Sequence, residues 1–384
     1  MTELLFEPPR LLFSRVRERA RSALDAAGIR IGGDRPHDIQ VHDERAFFEA
    51  VATGGLTGAR DAYVDGHWDA DRLDDVTYRL LRTGSEVPYA GVIERVVARI
   101  GGQLFNRQAG TRGKAVSRHY DLGNDLYEAM LDPLMSYSCG YWRNATTLEE
   151  AQLAKLELVC KKLGLVKGMR LLDIGCGWGG LARYAAERHG VSVVGITISS
   201  RQLELARERC RGLPVELRLQ DYRMLRDERF DAVASIGMFE HVGHKNYRPF
   251  MEVVRRVLRE DGLFLLHTIG GSETMTSFDP WMERNIFPNS MLPSAQQISA
   301  AAEGRFVIED WHNFGADYDR TLLAWYERFD AAWPRLRAAY GDRFYRVWRC
   351  YLLTNAGAFR AREHHLWQLV LSPRGVAGGY CGPR

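Results

Sequence analysis

The chain lacks long hydrophobic runs, closely paired cysteines and a strong excess of either charge. No stretch approaches the roughly 20 consecutive apolar residues that span a bilayer. The N-terminus, MTELLFEPPR, has no apolar segment of signal-peptide length. The six cysteines form no C-x-x-C pair and have no histidine pair at zinc-ligand spacing, so we expect neither disulfides nor a metal site. These absences predict a reduced, cytoplasmic protein.

Charge and length narrow the class of protein further. Lysine and arginine total 52 against 49 acids, and this net charge of +3 argues against a dedicated nucleic-acid binder. The 384 residues exceed one typical domain of about 150 residues. Hydrophobic periodicity gives way to Gly, Gln, Asn and basic residues near 101–114. We therefore predict an N-terminal accessory domain over 1–100, α+β or mainly helical, a linker over 101–116, and a second domain over 117–384.

Strand-like and helix-like segments alternate in the second domain. A capping-box pattern at 147–150 opens a helix. Strands are predicted at 170–174, 191–197, 215–219, 230–236 and 263–269, with a late edge or antiparallel strand at 365–371. Strands that alternate with helices predict an α/β fold with a doubly wound, mostly parallel sheet.

A glycine-rich loop follows the first of these strands, where residues 171–180 read LLDIGCGWGG. Glycine permits sharp turns and close approach of a ligand to the backbone. Gly175, Gly177 and Gly180 also satisfy the dinucleotide fingerprint G-x-G-x-x-G, so the loop alone does not identify its ligand. A dinucleotide site would have a carboxylate about 20 residues further on, where residues 195–197 read GIT.

Carboxylates lie elsewhere around this loop. Asp173 precedes it and suits the cationic end of an amino acid. Asp221 follows the third predicted strand, and with Tyr222 it offers a hydrogen bond and a ring beside an adenine. In these features the loop resembles the one that binds S-adenosylmethionine in class I methyltransferases.

Further motifs occur in the order found in one family. Residues 119–124 read HYDLGN, 137–142 YSCGYW, 173–179 DIGCGWG, 195–202 GITISSRQ and 238–243 MFEHVG. Together they resemble the cyclopropane-fatty-acyl-phospholipid synthases and the related mycolic acid cyclopropane synthases, over about residues 117–371.

The resemblance implies both a fold and a reaction. The fold would be that of a class I S-adenosylmethionine-dependent methyltransferase, Rossmann-like with a seven-stranded, mostly parallel sheet, beside a small N-terminal α+β domain. The enzyme would transfer a methylene group from S-adenosylmethionine to the cis double bond of an unsaturated acyl chain in membrane phospholipid, giving a cyclopropane fatty acid. In this family a bound bicarbonate is the base that removes a proton so that the ring closes.

The resemblance also implies which residues bind this bicarbonate. Glu240 would accept its hydroxyl hydrogen, His267 and Tyr318 would donate to its oxygens, and Cys139 and the backbone N–H of Ile269 would complete the site. Glu240 and His267 fall at or just beyond the ends of two predicted strands, where open α/β sheets bind ligands. Each side chain also has a purely structural interpretation. His267 could be a core imidazole, Tyr318 a surface residue at a helix start, Cys139 a small buried thiol and Glu240 a cap of the loop.

Cofactor binding is expected, by the same resemblance and the loop pattern, at Tyr137, Ser138, Asp173, Gly175, Gly177, Gly179, Thr197, Gln202, Asp221 and Tyr222. Gln202 is also consistent with a solvated helix residue. Asn355 stands where many family members carry a cysteine sometimes proposed as a nucleophile. Covalent catalysis by that cysteine is thus excluded, which agrees with direct transfer assisted by bicarbonate.

Two basic regions predict contact with a bilayer. Residues 320–384 hold eleven arginines and four acids, interleaved with aromatic residues, which favours lipid-facing C-terminal helices on anionic phospholipid. Alternatively, the aromatic residues form core and the arginines a solvated face. Residues 10–21, RLLFSRVRERAR, form a second candidate for lipid or for a dimer contact. In relatives the N-terminal domain assists lipid binding and dimerisation, so we expect a homodimer, peripheral on the inner face of the membrane.

Three other functions stay open at this point. A lipid methyltransferase with the same site would make a methyl-branched or methylene product, because the cation can lose a different proton. A non-catalytic lipid-binding protein could keep the fold. A small-molecule methyltransferase would need no membrane.

Overall fold

The computed structural model describes residues 9–84 and 123–384, with side chains of the first helix described from residue 16 onward. The predicted linker at 101–116 and residues 119–122 of the HYDLGN motif lie outside the described residues. The chain divides into two compact units, which are treated separately below. The first comprises Met1–Leu104, Ser277–Ile286 and Trp333–Glu363, and the second comprises Phe105–Thr276, Phe287–Ala332 and His364–Arg384. Residues 333–363, predicted to belong to the second domain, therefore pack within the first unit.

The described elements follow the chain in this order. The α-helices are α1 (Pro9–Ala26), α2 (Glu44–Val64), α3 (Leu73–Arg82), α4 (Asn124–Met130), α5 (Leu148–Lys162), α6 (Gly180–His189), α7 (Ser200–Arg209), α8 (Tyr247–Val257), α9 (Pro280–Asn285), α10 (Ala295–Ala302), α11 (Ala316–Tyr340) and α12 (Asp342–Ala361). The strands are β1 (Gln40–Val41), β2 (Trp68–Asp69), β3 (Arg170–Ile174), β4 (Ser192–Thr197), β5 (Val215–Leu219), β6 (Phe230–Ile236), β7 (Leu258–Gly271), β8 (Val307–Asn313) and β9 (His364–Ser372). Among the described helices, none has the length and apolar composition that crossing a bilayer requires.

The first unit is mainly helical in its described part, and its only sheet there is the antiparallel pair of β1 and β2. Helices α3 and α12 approach closely at Gly357, where a Cβ would lie 2.2 Å from the carbonyl oxygen of Asp74. The buried carboxylate of Asp74 accepts hydrogen bonds from Arg72 at 2.7 Å and from Arg360 at 2.8 Å. A buried carboxylate needs such partners, because desolvation of an unpaired charge is costly.

Part of the basic, aromatic C-terminal region forms core rather than surface. Six of its aromatic residues are buried: Trp325, Phe329, Trp348, Tyr351, Phe359 and Trp367. Within the first unit, the Arg346 guanidinium lies 4.2 Å from the centre of the Tyr63 ring. Arg349 donates to the carbonyl oxygen of Ala70 at 2.9 Å. For these residues the expectation of a lipid-facing position is wrong, because apolar rings and long arginine stems pack more favourably inside the unit.

Seven described strands of the second unit form one sheet in the order β5-β4-β3-β6-β7-β9-β8. Strands β3 to β7 run parallel, and β9 is antiparallel to both β7 and β8. The predicted strands are confirmed to within one residue at their starts, except that β7 begins five residues early at Leu258. Strand β9 is antiparallel, as one alternative had it, but it lies inside the sheet. The edge strand β8 was missed because its sequence, VIEDWHN, carries two acids and no apolar run.

Helices cover both faces of this sheet, which gives two apolar cores. On one face, α5 and α6 contribute Leu156 and Leu181 to a buried cluster with the strands. On the other face, α8 and α10 contribute Phe250 and Ile298. The predicted capping box is present at the start of α5: the Thr147 side chain accepts from the Glu150 N–H, and the Glu150 side chain accepts from the Thr147 N–H. The layers therefore hold the carboxyl ends of the parallel strands at one rigid edge, where the candidate site lies.

Candidate functional site

The glycine loop between β3 and α6 is held on the neighbouring strand. The backbone N–H groups of Gly175 and Cys176 both donate to the carbonyl oxygen of Ile196, at 2.9 and 3.0 Å. Gly175 has φ +87° and Gly177 has φ +53°, in the left-handed region that favours glycine. A Cβ at Gly177 would meet no atom within 4 Å, so the backbone there faces open space.

That open space is part of a cavity of about 190 Å³. Nine of the ten residues expected to bind the cofactor line it: Tyr137, Ser138, Asp173, Gly175, Gly177, Thr197, Gln202, Asp221 and Tyr222. Gly179 does not; it is the N-cap of α6, with φ +80°, and a Cβ there would lie 3.0 Å from the sulfur of Cys210. Its neighbour Gly180 lines the cavity instead. The structure therefore gives Gly179 a packing role.

Two buried titratable residues, Asp173 and Lys155, lie in the wall of this cavity. Both side chains are buried and both line it. Burial raises the pKa of Asp173 to about 7, an effect that the nearby Lys155 partly offsets. Burial likewise lowers the pKa of Lys155 to about 8, with Asp132, Cys139 and Asp173 acting in the opposite direction. The Lys155 ammonium donates to the hydroxyl oxygen of Ser138 at 3.0 Å.

Two polar side chains at the end of β4 restrain each other. The Thr197 hydroxyl donates to the Gln202 amide oxygen at 3.2 Å, and it accepts from the Ser199 N–H at 3.2 Å. Gln202 is 6 % exposed, which excludes its interpretation as a solvated helix residue. The N-cap hydroxyl of Ser199 accepts from the Gln202 N–H and starts α7 at this point.

Asp221 and Tyr222 lie at the carboxyl end of β5. The Asp221 carboxylate accepts from the Arg223 side chain at 2.6 Å and from the Arg223 N–H at 2.9 Å. Burial would raise the pKa of Asp221, but these bonds outweigh it and hold the pKa below its usual value. Burial raises the pKa of Tyr222 to about 12, so its hydroxyl is neutral. The Tyr222 ring packs edge-on against Phe250, with centroids 5.2 Å apart.

Glu240 lies in the short 3₁₀ turn that follows β6. One carboxylate oxygen, Oε1, accepts from the Ile269 N–H at 2.7 Å. The other, Oε2, is buried without a hydrogen-bond partner in the described part of the chain. Burial raises the pKa of Glu240 to about 7, although the Ile269 N–H and the Thr268 side chain act to lower it. The Ile269 N–H, expected to contact bicarbonate, is thus already bonded to Glu240.

His267 occupies the adjacent strand β7 and is 1 % exposed. Its Nδ1 lies 3.2 Å from the amide nitrogen of Gln368 on β9. Its Nε2 is buried and has no partner among residues 9–84 and 123–384. Burial, with smaller contributions from Lys155 and Lys162, holds the pKa of His267 well below its usual value. The imidazole is therefore neutral at physiological pH.

Cys139 and Tyr318 belong to a second group of buried side chains. The Cys139 sulfur lies 3.1 Å from the Gly140 carbonyl oxygen and 3.8 Å from the Thr321 hydroxyl. Burial raises the pKa of Cys139 well above its usual value, so the thiol is neutral and not a nucleophile. Tyr318 is 8 % exposed and stands one helical turn before Thr321 on α11. Its interpretation as a surface residue is therefore wrong.

The structure brings some of the expected residues into direct contact and leaves others apart. Glu240 and Ile269 share a hydrogen bond, and Cys139 contacts the helix that carries Tyr318. His267 is the strand partner of Ile236, at the end of β6 just before the Glu240 turn. Asn355 lies in the first unit, where its amide donates to the Tyr351 carbonyl oxygen at 2.7 Å.

Two residues with evident roles at the site were missed from the sequence. Lys155 sits on the buried face of α5, at helical spacing from Ala151 and Val159, and a lysine at such a position was the available signal. Gln368 lies in the apolar run of β9, where one amide among aliphatic residues was the signal. Both were overlooked because only the tertiary structure supplies their partners.

These observations fit S-adenosylmethionine as the ligand of the cavity. Gly177 leaves the backbone open to a ligand, the buried Asp173 suits an ammonium group, and Tyr222 offers a ring at the end of β5. The seven-stranded sheet order, with this loop at the carboxyl end of β3, defines a class I S-adenosylmethionine-dependent methyltransferase.

Comparison with known proteins narrows this class. The chain matches the family described as mycolic acid cyclopropane synthetase over residues 107–369. It is 53% identical over 361 residues to the cyclopropane-fatty-acyl-phospholipid synthase of Escherichia coli strain K12, covering 94% of each chain. The chain therefore belongs to the mycolic acid cyclopropane synthetase family and is an S-adenosylmethionine-dependent methyltransferase.

Solved structures agree with this assignment. A cyclopropane synthase from Mycobacterium tuberculosis superposes with a TM-score of 0.64 at 32% identity, covering 67% of this chain and 97% of that one. A mycolic acid cyclopropane synthase crystallised with SAH and CTAB gives a TM-score of 0.63 at 33% identity, covering 70% of this chain and 99% of that one.

Proposed function

We propose that this enzyme transfers a methylene group from S-adenosylmethionine to the cis double bond of an unsaturated acyl chain in membrane phospholipid, giving a cyclopropane fatty acid, with bound bicarbonate as the general base. The observation that carries the proposal is the pair of buried atoms Glu240 Oε2 and His267 Nε2, which lack partners in the described part of the chain. Family membership and the 53% identity to the E. coli cyclopropane-fatty-acyl-phospholipid synthase support the same reaction.

The cavity residues support the proposed binding of the cofactor. Bound S-adenosylmethionine would supply an electrophilic methyl group on a sulfonium centre. Asp173 would bind the ammonium group of its amino-acid end, and Thr197 and Gln202 are held in place by their mutual bond. The loop glycines allow the backbone to approach the ligand without a Cβ. An isolated alkene is a weak nucleophile, so alignment and exclusion of water must lower the barrier.

Glu240 and His267 fit an anion that also carries a hydroxyl. Bound bicarbonate would supply the base that accepts the proton lost as the ring closes. Glu240 Oε2 would accept the hydroxyl hydrogen, and His267, neutral because of burial, would donate from a ring nitrogen. Because the pKa of Glu240 is raised to about 7, its carboxylate is basic enough to take up that hydrogen near neutral pH. Tyr318 and Cys139 would add a hydroxyl and a weak thiol donor.

Access to phospholipid requires contact with a bilayer surface. Around the junction of α11 and α12 in the first unit, Arg335, Arg337 and Arg343 are exposed, and Trp333 and Tyr345 are half-buried. Arginines beside aromatic rings favour the interface of an anionic membrane, so we propose this surface for lipid contact. Assembly as a homodimer stays a prediction, which analytical ultracentrifugation of the full chain would test. Association with the cytoplasmic face of the membrane also stays a prediction, which membrane fractionation of cells that express the full chain would test.

The product distinguishes this function from its same-site alternative. The purified enzyme would be incubated with S-adenosylmethionine and anionic vesicles that contain monounsaturated phospholipid. We expect each product acyl chain to gain one CH₂ by mass spectrometry and to lose its olefinic signals in proton NMR. A product that keeps an alkene would instead identify a methylene-forming or methyl-branching enzyme. No turnover, with vesicle binding intact, would favour a lipid-binding protein.

Glu240→Gln tests the carboxylate that carries the proposal. We expect a loss of turnover of about 10²–10⁴-fold, the usual contribution of acid–base catalysis, with vesicle binding unchanged. Glu204→Gln, an exposed residue of α7, is the matched control and should keep full activity. The wild-type enzyme in buffer depleted of carbon dioxide should lose activity and regain it on addition of bicarbonate. An unchanged rate in Glu240→Gln would remove Glu240 from the mechanism.

A further inference from the structure

His267 and Gln368 face each other across neighbouring strands. They are direct partners in the antiparallel register of β7 and β9, and side chains of opposed residues in such a pair project from the same face of the sheet. Both are essentially buried, at 1 % and 0 % exposure. The Gln368 amide nitrogen, Nε2, lies 3.2 Å from Nδ1 of His267. The sheet register therefore fixes this contact.

The chemistry of the contact determines where the imidazole hydrogen lies. A neutral imidazole has one N–H group and one nitrogen with a free lone pair. The amide nitrogen of Gln368 is only a donor, so Nδ1 of His267 is the acceptor and Nε2 carries the hydrogen. That Nε2 is the buried atom without a partner in the described part of the chain.

The opposite orientation of the Gln368 amide is less favourable. Its oxygen, Oε1, is also buried and has no partner within the described ranges. In either orientation, therefore, one end of the Gln368 amide bonds to His267 and the other end has no partner there. In the observed orientation that group is a carbonyl oxygen, whereas a rotation by 180° would leave a buried N–H₂ group. Rotation would therefore leave the whole amide NH₂ group without an acceptor and His267 Nε2 as a bare lone pair, whereas the observed orientation leaves one carbonyl oxygen and the single Nε2–H of His267, from which the anion of the proposed function would accept.

The orientation also matters for an anion beside Glu240. Glu240 Oε2 is an acceptor when the carboxylate is ionised. If His267 Nε2 were an acceptor too, the two atoms would repel the oxygens of bicarbonate. With a hydrogen on Nε2, the pair offers one acceptor and one donor, which match the hydroxyl and a charged oxygen of the anion.

We propose that Gln368 is a positioning residue that holds His267 in the tautomer with the hydrogen on Nε2, so that His267 donates to the anion beside Glu240. The inference rests on the proposed function, because the anion belongs to it. Gln368, like Glu240 and His267, does not line the cofactor cavity, and its contact with Nδ1 of His267 is the route by which it would act on the anion.

The tautomer is measured directly by NMR. The full-length enzyme would be labelled with ¹⁵N in its eleven histidines, and the His267 signals identified by their loss in His267→Asn. We expect a protonated nitrogen at Nε2 and an unprotonated one at Nδ1. In Gln368→Glu the carboxylate only accepts, so the hydrogen should move to Nδ1. Gln368→Met, with similar length and no donor, should give a mixture.

The anion requirement provides a second measurement. We expect the bicarbonate concentration for half-maximal activity to rise about tenfold in Gln368→Met, corresponding to roughly 1.4 kcal/mol. The dissociation constant for S-adenosylhomocysteine and the melting temperature report on folding, and the first should not change. Gln296→Met, at an exposed position of α10, is the matched control and should behave as the wild type.

The two measurements separate failure of the inference from failure of the proposed function. A hydrogen on Nδ1 in the wild type, or the same tautomer in all Gln368 variants, overturns the inference even if bicarbonate is required. An enzyme that shows the expected tautomers but no bicarbonate dependence rejects the proposed base and the donor role of His267, while the effect of Gln368 on the tautomer stands.

Discussion

The cofactor cavity and the Glu240–His267 pair lie at the same sheet edge but differ in construction. The cavity is lined by short motifs after β3, β4 and β5, together with residues 135–138, α5 and the turn after β6. Many of its polar groups already have protein partners, as Thr197 and Asp221 do. The pair combines residues after β6, within β7 and, through Gln368, within β9. Each member keeps one buried polar atom without a partner in the described part of the chain.

Under the proposed function, the cavity binds the cofactor and the Glu240–His267 pair takes part in proton transfer. A cavity that must exchange its ligand benefits from satisfied polar walls and an open backbone, because it then changes little on binding. A proton-transfer site benefits from desolvation, because burial moves a carboxyl pKa toward neutrality. Glu240 shows that effect, since burial raises its pKa to about 7. Asp173 shows it too, but Lys155 nearby offsets part of the shift.

The largest predicted effect that distinguishes the two regions is the pH dependence of kcat, which reports on Glu240, compared with that of KM, which reports on Asp173. Glu240 must be ionised to accept a hydrogen, and with a pKa of about 7 its ionised fraction at pH 5 is about one hundredth. We therefore expect kcat to rise about 100-fold between pH 5 and pH 8. The KM for S-adenosylmethionine should fall over the same range as Asp173 ionises. Steady-state kinetics at each pH checks both, and a flat kcat would reject the role of Glu240.

The raised pKa of Glu240 also predicts how the stability of the fold depends on pH. Activity should rise with pH, whereas the contribution of Glu240 to stability should fall. The pKa of Glu240 is higher in the fold than its ordinary value of 4.5, so the unfolded chain releases this proton first. Stability from this group therefore falls as pH rises from about 4.5 to about 7 and is constant above that. Glu240→Gln, which lacks the ionisation, should melt at a higher temperature than the wild type at pH 8, although we expect its turnover to be much lower. A lower melting temperature would contradict the desolvation argument.

A smaller effect is expected from the glycine loop. In Gly175→Ala the new Cβ would lie 2.8 Å from Met238 Cβ, at a φ of +87° that L residues rarely adopt. Met238 lines the cavity, so its displacement should weaken binding of S-adenosylhomocysteine by about 10- to 100-fold, corresponding to roughly 1.4–2.8 kcal/mol. Calorimetric titration measures this.

Gly212→Ala is the matched control for that variant. It has a similar φ of +82°, with open space around a Cβ and no place in the cavity lining. It should lower the melting temperature but leave the dissociation constant unchanged. If both variants lost affinity for S-adenosylhomocysteine equally, backbone strain alone, and not the cavity, would explain the loss.

The smallest expected effect concerns Lys155. Its ammonium group lines the cavity and bonds to Ser138, and we expect it to contribute to binding of the carboxylate of the cofactor. Lys155→Met should weaken S-adenosylhomocysteine binding about tenfold, within the range of a hydrogen bond to a charged group. Binding of 5′-methylthioadenosine, which lacks the amino-acid end, should hardly change. Equal losses for both ligands would make Lys155 a packing residue only.

Local sequence predicted most of the residues that line the cavity. Nine of ten expected residues line the cavity, because a glycine loop and the residues that follow parallel strands are brought to one edge by the α/β fold itself. Gly179 was the exception, since the same glycine can serve a ligand or a helix start. Strand β8 was missed because an edge strand needs no apolar run.

The sequence by itself determined the α/β class, the glycine loop and the identity of Glu240 and His267 as candidates, since these depend on local pattern and motif. Only the tertiary structure decided what surrounds them. The register of β7 and β9 places Gln368 against His267, and the turn after β6 places Glu240 on the Ile269 N–H. Burial, which depends on the packed helices on both faces, then sets their protonation. Such long-range contacts leave no signal in a single chain segment, because each partner alone is an ordinary core residue.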